Sequence, residues 1–186
     1  MLFLIITSCG SKGPASQENA KQGTENESSE MKLPEKITIG AILPLSGNAA
    51  SYGIPGQNGI NMAVEEINTK GGVKGIKIEA KIEDHQTKPE VGVTALTKLI
   101  NIHKIPFAVA SYSGVIAAQH STAELNKVVL MNCYAQSNLL AGISDYIYSV
   151  IPLSGIEIEQ LAKYWIVDKG YKTAGLISST DEAGVD

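Results

Sequence analysis

The chain has 186 residues, of which 44% are hydrophobic and 18% charged, with a formal net charge of -4; this composition is typical of a globular domain and excludes a disordered or fibrous chain. No basic stripe could neutralise a run of phosphates, which argues against a nucleic-acid partner. All 15 cationic residues are lysines, so an anion site would have to use backbone N–H groups, hydroxyls or Lys instead of the bidentate guanidinium fork.

Residues 1–9 have the features of a lipoprotein signal peptide. The apolar run at residues 1–6 is too short to span a bilayer, and it leads into Ile6-Thr7-Ser8-Cys9-Gly10. This segment resembles the bacterial lipobox, in which the cysteine becomes the acylated N-terminus, although no Lys or Arg precedes the run. The resemblance implies that Cys9 anchors the protein in the cell membrane, on its extracytoplasmic side. The alternative is an apolar stub without a role.

Residues 10–36 are rich in Gly, Ser, Gln, Asn, Glu and Lys and contain almost no large apolar side chain. Such a segment cannot bury enough surface to offset its ordering entropy. It is predicted to be a flexible tether.

Strand and helix patterns alternate from Ile37 to the end of the chain. Short apolar or alternating runs predict strands at residues 37–43, 76–82, 106–110, 128–131, 145–150 and 173–177. Helical spacing predicts intervening helices that begin near Pro55, Pro89, Ser113 and Ile158. This alternation predicts a doubly wound α/β fold with a parallel sheet and right-handed crossovers.

Ligands of such sheets bind beyond the carboxyl ends of the strands. The segments expected to form a site therefore follow the predicted strands directly, at residues 45–53, 84–88, 111–114, 132–138 and 178–184.

A family resemblance begins at residues 36–47, KITIGAILPLSG. This segment resembles the opening of the periplasmic leucine/isoleucine/valine-binding proteins, and Tyr52-Gly53, residues 56–59, residues 63–68 and residues 71–75 follow at that family's spacing. The resemblance extends to Asp186. It implies the type I periplasmic binding protein fold, in which two Rossmann-like lobes clamp a small solute.

Family chains are about twice as long as this one, so the resemblance implies that the second lobe is truncated. Residues 37–149 are expected to form ligand-binding lobe one. Residues 150–186 are expected to supply a crossing segment and the start of lobe two.

The resemblance places the carboxylate of an amino acid on Ser113, within Tyr112-Ser113-Gly114. A hydroxyl and unpaired N–H groups at a helix start suit an anion. The structural alternative is that Ser113 is a plain N-cap. Tyr52 matches an aromatic residue that covers the solute in relatives, although it could be an ordinary surface residue.

Tyr134 and Gln136 follow the fourth predicted strand, where relatives have small residues and a Thr. Their bulk suggests a smaller pocket or another solute, unless they merely pack within the loop. Asp181 could face an ammonium group, or it could simply be solvated. Ala183 replaces an aromatic residue of many relatives, which weakens the case for a leucine-like solute.

A dinucleotide-binding enzyme is the competing class. Gly53, Gly56 and Gly59 are spaced by three and Asp84 ends a strand, but the loop from Pro44 to Gly53 is too long for the tight turn of that fingerprint. No motif of a hydrolase, metalloprotease or thiol redox enzyme is present. Asp84 and His85 should point to opposite faces of a strand, which makes them a poor metal chelate. The sequence therefore predicts no enzyme activity, no cofactor and no metal.

By resemblance, the function is that of an extracytoplasmic solute-binding subunit of an ABC importer. It would capture a branched-chain or other amino acid and present it to a membrane permease. The alternative function is the extracellular ligand-sensing domain of a receptor or of an amide or amino-acid sensor.

Overall fold

Five parallel strands form a single sheet in the part of the chain that the structure describes. The computed structural model describes residues 34–180 and residue 184. In this part of the chain the strands are β1 (Lys36–Leu43), β2 (Lys77–Asp84), β3 (Phe107–Ala110), β4 (Val129–Asn132) and β5 (Ile147–Ser149). Their order is β2-β1-β3-β4-β5, and all four neighbouring pairs are parallel. The chain moves from β1 to one side and then crosses back to β3, which confirms the predicted doubly wound fold.

Helices connect the strands. They are α1 (Ala50–Thr69), α2 (Pro89–His103), α3 (Ser113–Asn126) and α4 (Ser154–Lys163), with a 3-10 turn at Asn138–Leu140 and a π-helical segment at Tyr164–Asp168. The predicted start of α1 near Pro55 was wrong. A left-handed turn at Gly47, whose carbonyl accepts the Ala50 N–H at 3.2 Å, starts the helix earlier. Pro55 therefore lies inside α1.

The main core lies between the sheet and the crossover helices α2 and α3, which pack against each other. Its largest fully buried side chains come from β1, β4 and both helices: Ile42, Leu96, Leu99, Ile116 and Leu130. The carboxyl-terminal half of β1 is buried completely, as is typical of a central parallel strand covered on both faces. This rigid centre fixes the positions at which β1, β3 and β4 end.

The last predicted strand is absent. Residues 171–179 have no regular secondary structure, and the Leu176 and Ile177 side chains are 89% and 100% exposed. A strand needs a neighbouring strand to pair its N–H and C=O groups, and the described part of the chain places none beside residues 173–177. The apolar stripe of the preceding helix is likewise exposed, since α4 has no buried residue.

Several predictions concern residues outside those described. These are the signal peptide at residues 1–9 with Cys9, the tether up to residue 33, and Asp181. The first described strand begins at Lys36, one residue before its predicted start. No helix within the described ranges is both long and apolar enough to cross a membrane.

Candidate functional site

The loops that follow β1, β2, β3 and β4 meet at the carboxyl edge of the sheet. β1 lies between β2 and β3, so the reversal of strand order opens a crevice between the ends of β1 and β3. The Ser111 hydroxyl donates to the Ile42 carbonyl at 3.1 Å, and the Cys133 N–H donates to the Ala110 carbonyl at 3.2 Å. These bonds join the strand ends. Among the predicted site residues that the structure describes, Tyr134 and Gln136 lie on the loop after β4, whereas Tyr112, Ser113 and Gly114 lie at the start of α3 and Tyr52 lies on α1.

Ser113 is buried at the start of α3. Its Oγ accepts a hydrogen bond of 3.3 Å from the Ser137 N–H, which links α3 to the loop after β4. The first helical hydrogen bond of α3 runs from the Ile116 N–H to the Tyr112 carbonyl at 2.9 Å. The N–H groups of Ser113 and Gly114 precede this bond, so they have no acceptor within the helix.

Tyr112, and not Ser113, is the N-cap residue, and its side chain does not cap the helix. The alternative prediction that Ser113 is a plain N-cap was therefore wrong. The Tyr112 backbone adopts φ 74° and ψ 121°, a region that residues other than Gly rarely occupy and that costs about 1–3 kcal/mol. The start of α3 is thus an uncapped helix N-terminus held in place by its surroundings, a geometry suited to an anion.

Two tyrosines flank the same edge from α1 and from the loop after β4. The Tyr134 ring packs against α1, where a Cβ added to Gly56 would lie only 3.0 Å from the Tyr134 hydroxyl oxygen. Tyr52 is four residues before Gly56 and thus on the same side of α1. Tyr52 and Tyr134 are 69% and 49% exposed, so both retain aromatic surface that a bound molecule could cover.

Gln136 is hydrogen-bonded to the first turn of α4 through both its side chain and its backbone. Its Nε2 donates to Glu157 Oε2 at 2.8 Å, and its backbone carbonyl accepts the Ser154 N–H at 2.7 Å. The Gly155 N–H donates to Asn138 Oδ1 at 3.0 Å. The loop after β4 is therefore tied to the first turn of α4, a contact between residues about 20 positions apart that no local sequence pattern indicated.

Asn132 organises this loop and was missed by the sequence analysis. Its Oδ1 accepts the N–H groups of Tyr134 and Ala135 at 3.2 and 2.7 Å, and its Nδ2 donates to the Ala135 carbonyl at 2.6 Å and to Ser149 Oγ at 2.9 Å. The side chain is completely buried. The Tyr134 and Ala135 amides are thereby used internally, which leaves the Tyr134 side chain as the part of this turn available to a ligand.

His85 and Ser111 were also missed as site residues. The His85 side chain is fully buried and lies 3.1 Å from Ser111 Oγ through its Nε2. Burial lowers the pKa of His85, and the neighbouring Asp84 charge opposes this effect without cancelling it. The ring is therefore neutral at neutral pH. The available signal in the sequence was a polar residue directly after β2 and another directly after β3.

Asp84 fastens the first loop to the end of β2. Its carboxylate accepts the Leu45 N–H at 2.9 Å, the Ser46 hydroxyl at 2.5 Å and the Gln86 N–H at 2.8 Å. Partial burial alone would raise its pKa, but hydrogen bonds from Ser46, Gln86 and Leu45 hold the pKa of Asp84 below its ordinary value. Within residues 34–180, no three His, Cys, Asp or Glu residues are grouped so that they could hold a metal ion.

Comparison with known proteins identifies the family. The family model described as "Periplasmic binding protein" matches residues 36–186. A Leu/Ile/Val-binding protein, BraC3, of Rhizobium johnstonii is 39% identical over 95 residues, which are 51% of this chain and 26% of that protein. The Leu/Ile/Val-binding protein homolog 3 of Brucella melitensis is 30% identical over 143 residues, 76% of this chain and 39% of that protein.

A solved structure shows the same fold. The branched-chain amino acid transporter substrate binding protein LivJ of Streptococcus pneumoniae, solved in complex with isoleucine, matches with a TM-score of 0.65 and 27% identity. The match covers 73% of this chain and 39% of that protein. This chain thus spans about a quarter to two fifths of the length of these relatives. It belongs to the periplasmic binding protein family.

Proposed function

We propose that this chain contributes ligand-binding lobe one of an extracytoplasmic solute-binding subunit of an ABC importer. The observation that carries the proposal is the uncapped N-terminus of α3, with Ser113 buried in it, at the switch point of the doubly wound sheet. A solute placed there would lie between the ends of β1 and β3.

The chemistry of this position favours a carboxylate. The N–H groups of Ser113 and Gly114 and the dipole of α3 attract negative charge. Ser113 Oγ already accepts the Ser137 N–H, so its own hydrogen is available for donation to a solute oxygen. Tyr52 and Tyr134 would then cover the remainder of the solute, with Tyr112 lining the base of the site.

An amino acid is the proposed solute class. The names of the relatives specify leucine, isoleucine and valine, and the streptococcal structure contains isoleucine. Packing of Tyr134 against Gly56 narrows the site on the side of α1. This favours an amino-acid solute with a small side chain. Asp181 is the proposed partner of the ammonium group. The solute would be bound and released without chemical conversion.

Transport follows from lobe closure. Residues 37–149 would form lobe one, and residues 150–186 would cross into lobe two. A solute with higher affinity for the closed form shifts the two lobes towards closure. The closed protein would then dock on a membrane permease. The family is extracytoplasmic, and Cys9 is the proposed lipid anchor that keeps the protein at the membrane beyond the tether at residues 10–36.

A thermal-shift panel tests this function. The complete product of the reading frame, without the segment up to Cys9, would be heated with amino acids, amides, small carboxylates, sugars and purines. A solute at one hundred times its Kd adds about 2.7 kcal/mol of stability, so aliphatic amino acids should raise the melting temperature measurably. A folded protein that responds to no member of the panel would contradict the importer function and favour a sensor.

Substitution of Ser113 tests the site. Ser113→Ala should weaken the affinity for the amino acid about tenfold or more, because a buried charge-assisted hydrogen bond contributes about 1.5–3 kcal/mol. Ser121→Ala, an exposed change on the same helix, is the matched control and should leave the affinity unchanged. Calorimetric titration measures both; equal affinities for the two variants would overturn the assignment of Ser113.

A further inference from the structure

We propose that His85 is a positioning residue for the start of α3: it holds Ser111, and through Ser111 the strained backbone of Tyr112 that leads into Ser113. This inference rests on the proposed function, since the N–H groups that it orients are those assigned to the solute carboxylate.

The hydrogen bonds around His85 define which ring nitrogen carries the proton. The Thr87 N–H points at His85 Nδ1 from 2.9 Å. A backbone N–H can only donate, so Nδ1 is the acceptor and the neutral ring carries its hydrogen on Nε2. That hydrogen points at Ser111 Oγ, 3.1 Å away. Ser111 Oγ in turn donates to the Ile42 carbonyl at 3.1 Å.

These three bonds form one directed chain across the carboxyl edge of the sheet. It begins at Thr87 and His85 in the loop after β2 and passes to Ser111, directly after β3. It ends at the Ile42 carbonyl on β1, the strand that lies between β2 and β3. His85 and Ser111 are 0% and 2% exposed. Water therefore cannot replace a lost partner without rearrangement, and each of these bonds fixes its neighbour.

The middle member of this chain, Ser111, is next to the strained residue. Tyr112 immediately follows Ser111 and has φ 74°, while its ring lies 6.0 Å from the His85 ring at an interplanar angle of 53°. A non-glycine residue keeps such a backbone only where its surroundings hold it. His85 contacts Tyr112 and Ser111 at once, which makes it the group that sets the direction of the first N–H groups of α3.

Two substitutions separate the bonds of His85. In His85→Gln the side-chain amide nitrogen lies where Nε2 was and keeps the donor to Ser111. In His85→Asn the side-chain oxygen lies where Nδ1 was and keeps the acceptor for Thr87. We expect His85→Gln to retain the solute affinity within about threefold, and His85→Asn and Ser111→Ala each to lower it about tenfold. His120→Gln, a change within α3 away from this chain of bonds, is the control and should bind normally.

Coupling between the two residues gives a sharper criterion. His85→Asn combined with Ser111→Ala should weaken the solute affinity no more than Ser111→Ala alone, because Ser111→Ala already removes the bond that His85→Asn removes, together with the bond to the Ile42 carbonyl. Additive losses, or wild-type affinity in His85→Asn, would overturn the inference. Denaturation curves show which variants are folded, and only folded variants are compared.

Two readouts do not need a solute. Nitrogen-15 NMR of the histidines in the wild-type protein should show His85 with its hydrogen on Nε2; a hydrogen on Nδ1 would overturn the inference. The Ile116 amide, bonded to the Tyr112 carbonyl, should exchange its hydrogen at least tenfold faster in His85→Asn and at the wild-type rate in His85→Gln. If no solute binds, the proposed function fails, while these two readouts still decide whether His85 positions α3.

Discussion

Asn132 shows how one buried side chain can replace several backbone partners. It ends β4 and satisfies two N–H groups and one carbonyl in the turn that follows, together with Ser149 at the end of β5. The Cys133 N–H still bonds to the Ala110 carbonyl of β3, but the Tyr134 and Ala135 N–H groups that follow donate to Asn132 Oδ1. The amide of Asn132 is therefore what gives the Tyr134 loop a single conformation.

Replacement of Asn132 by alanine should destabilise the protein by about 2 kcal/mol or more, because the buried Ala135 N–H and carbonyl lose their partner and each unsatisfied group costs about 1–3 kcal/mol. Urea denaturation measures the free energy of unfolding. Asn126→Ala, which removes an exposed bond to the Thr122 carbonyl, should change it by less than about 0.5 kcal/mol. Similar losses for the two variants would contradict the role given to Asn132.

The position of a residue at the edge of the sheet was predictable from the strand that precedes it, whereas its part in binding stays a prediction. Ser113, Tyr112 and Tyr134 follow strands, and residues after parallel strands meet at one edge. The partners of those residues were not predictable. His85 and Ser111 are 26 positions apart, and Gln136 and Glu157 are 21 apart. Such pairings depend on the three-dimensional distance between loops, which periodicity does not encode.

At the scale of elements, α1 is placed by the close approach of its first turns to the end of β1. A Cβ added to Gly53 would lie 1.9 Å from the Pro44 carbonyl oxygen. No side chain fits into that gap. The glycine lets the helix pack over the loop that bounds the candidate site.

Gly53→Ala and Gly59→Ala should therefore change stability in opposite directions. Alanine at Gly53 must displace the Pro44 backbone, at a cost of about 1–3 kcal/mol. Alanine at Gly59, where an added Cβ meets nothing within 4 Å, should stabilise α1 by about 0.5–1 kcal/mol through helix propensity. Thermal unfolding of both variants tests this pair; a stabilising Gly53→Ala would show that α1 is not packed as described.

Helices and strands were predictable where their backbone hydrogen bonds are formed within the element itself. Helices bond within themselves, and α2 and α3 were predicted close to their observed starts at Pro89 and Ser113. The prediction of a strand at residues 173–177 was wrong because a suitable side-chain pattern is not sufficient to form a strand. A strand also needs a neighbouring backbone to form hydrogen bonds with, and the described residues supply none there.

For the molecule as a whole, the parallel sheet was implied by simple rules, whereas the order of its strands was not predicted. Alternating strands and helices joined by right-handed crossovers give a parallel sheet, and a reversal in strand order places the crevice. What these rules omit is the polar network under that crevice. Asp84 is the last residue of β2 and His85 is the next one. The two side chains nevertheless stabilise different loops, and their protonation changes in different pH ranges.

Below about pH 4.5, the carboxylates determine how the stability of the protein changes with pH. Hydrogen bonds from Lys36 and Lys81 lower the pKa of Glu79 to about 2, and the pKa of Asp84 is also lowered. A carboxyl whose pKa is lower in the folded state stabilises the protein above its unfolded pKa and loses that contribution as the pH falls through the folded value. The Glu79 pairs lie at the surface, so salt should weaken their contribution.

His85 should govern part of the stability change at a higher pH. Its folded pKa lies below the unfolded value of about 6.5, so the unfolded state binds the proton first and stability falls as the pH drops below that value. Urea denaturation between pH 7.5 and pH 5 should show this fall in the wild-type protein and a flatter profile in His85→Gln, with little effect of salt because the ring is buried. Asn126→Ala, an exposed change that removes no titrating group, is the control and should retain the wild-type slope. Identical slopes for the wild type and His85→Gln would mean that His85 accepts a proton as easily in the folded state as in the unfolded one, and a neutral ring could then not be the fixed centre of the hydrogen-bond chain.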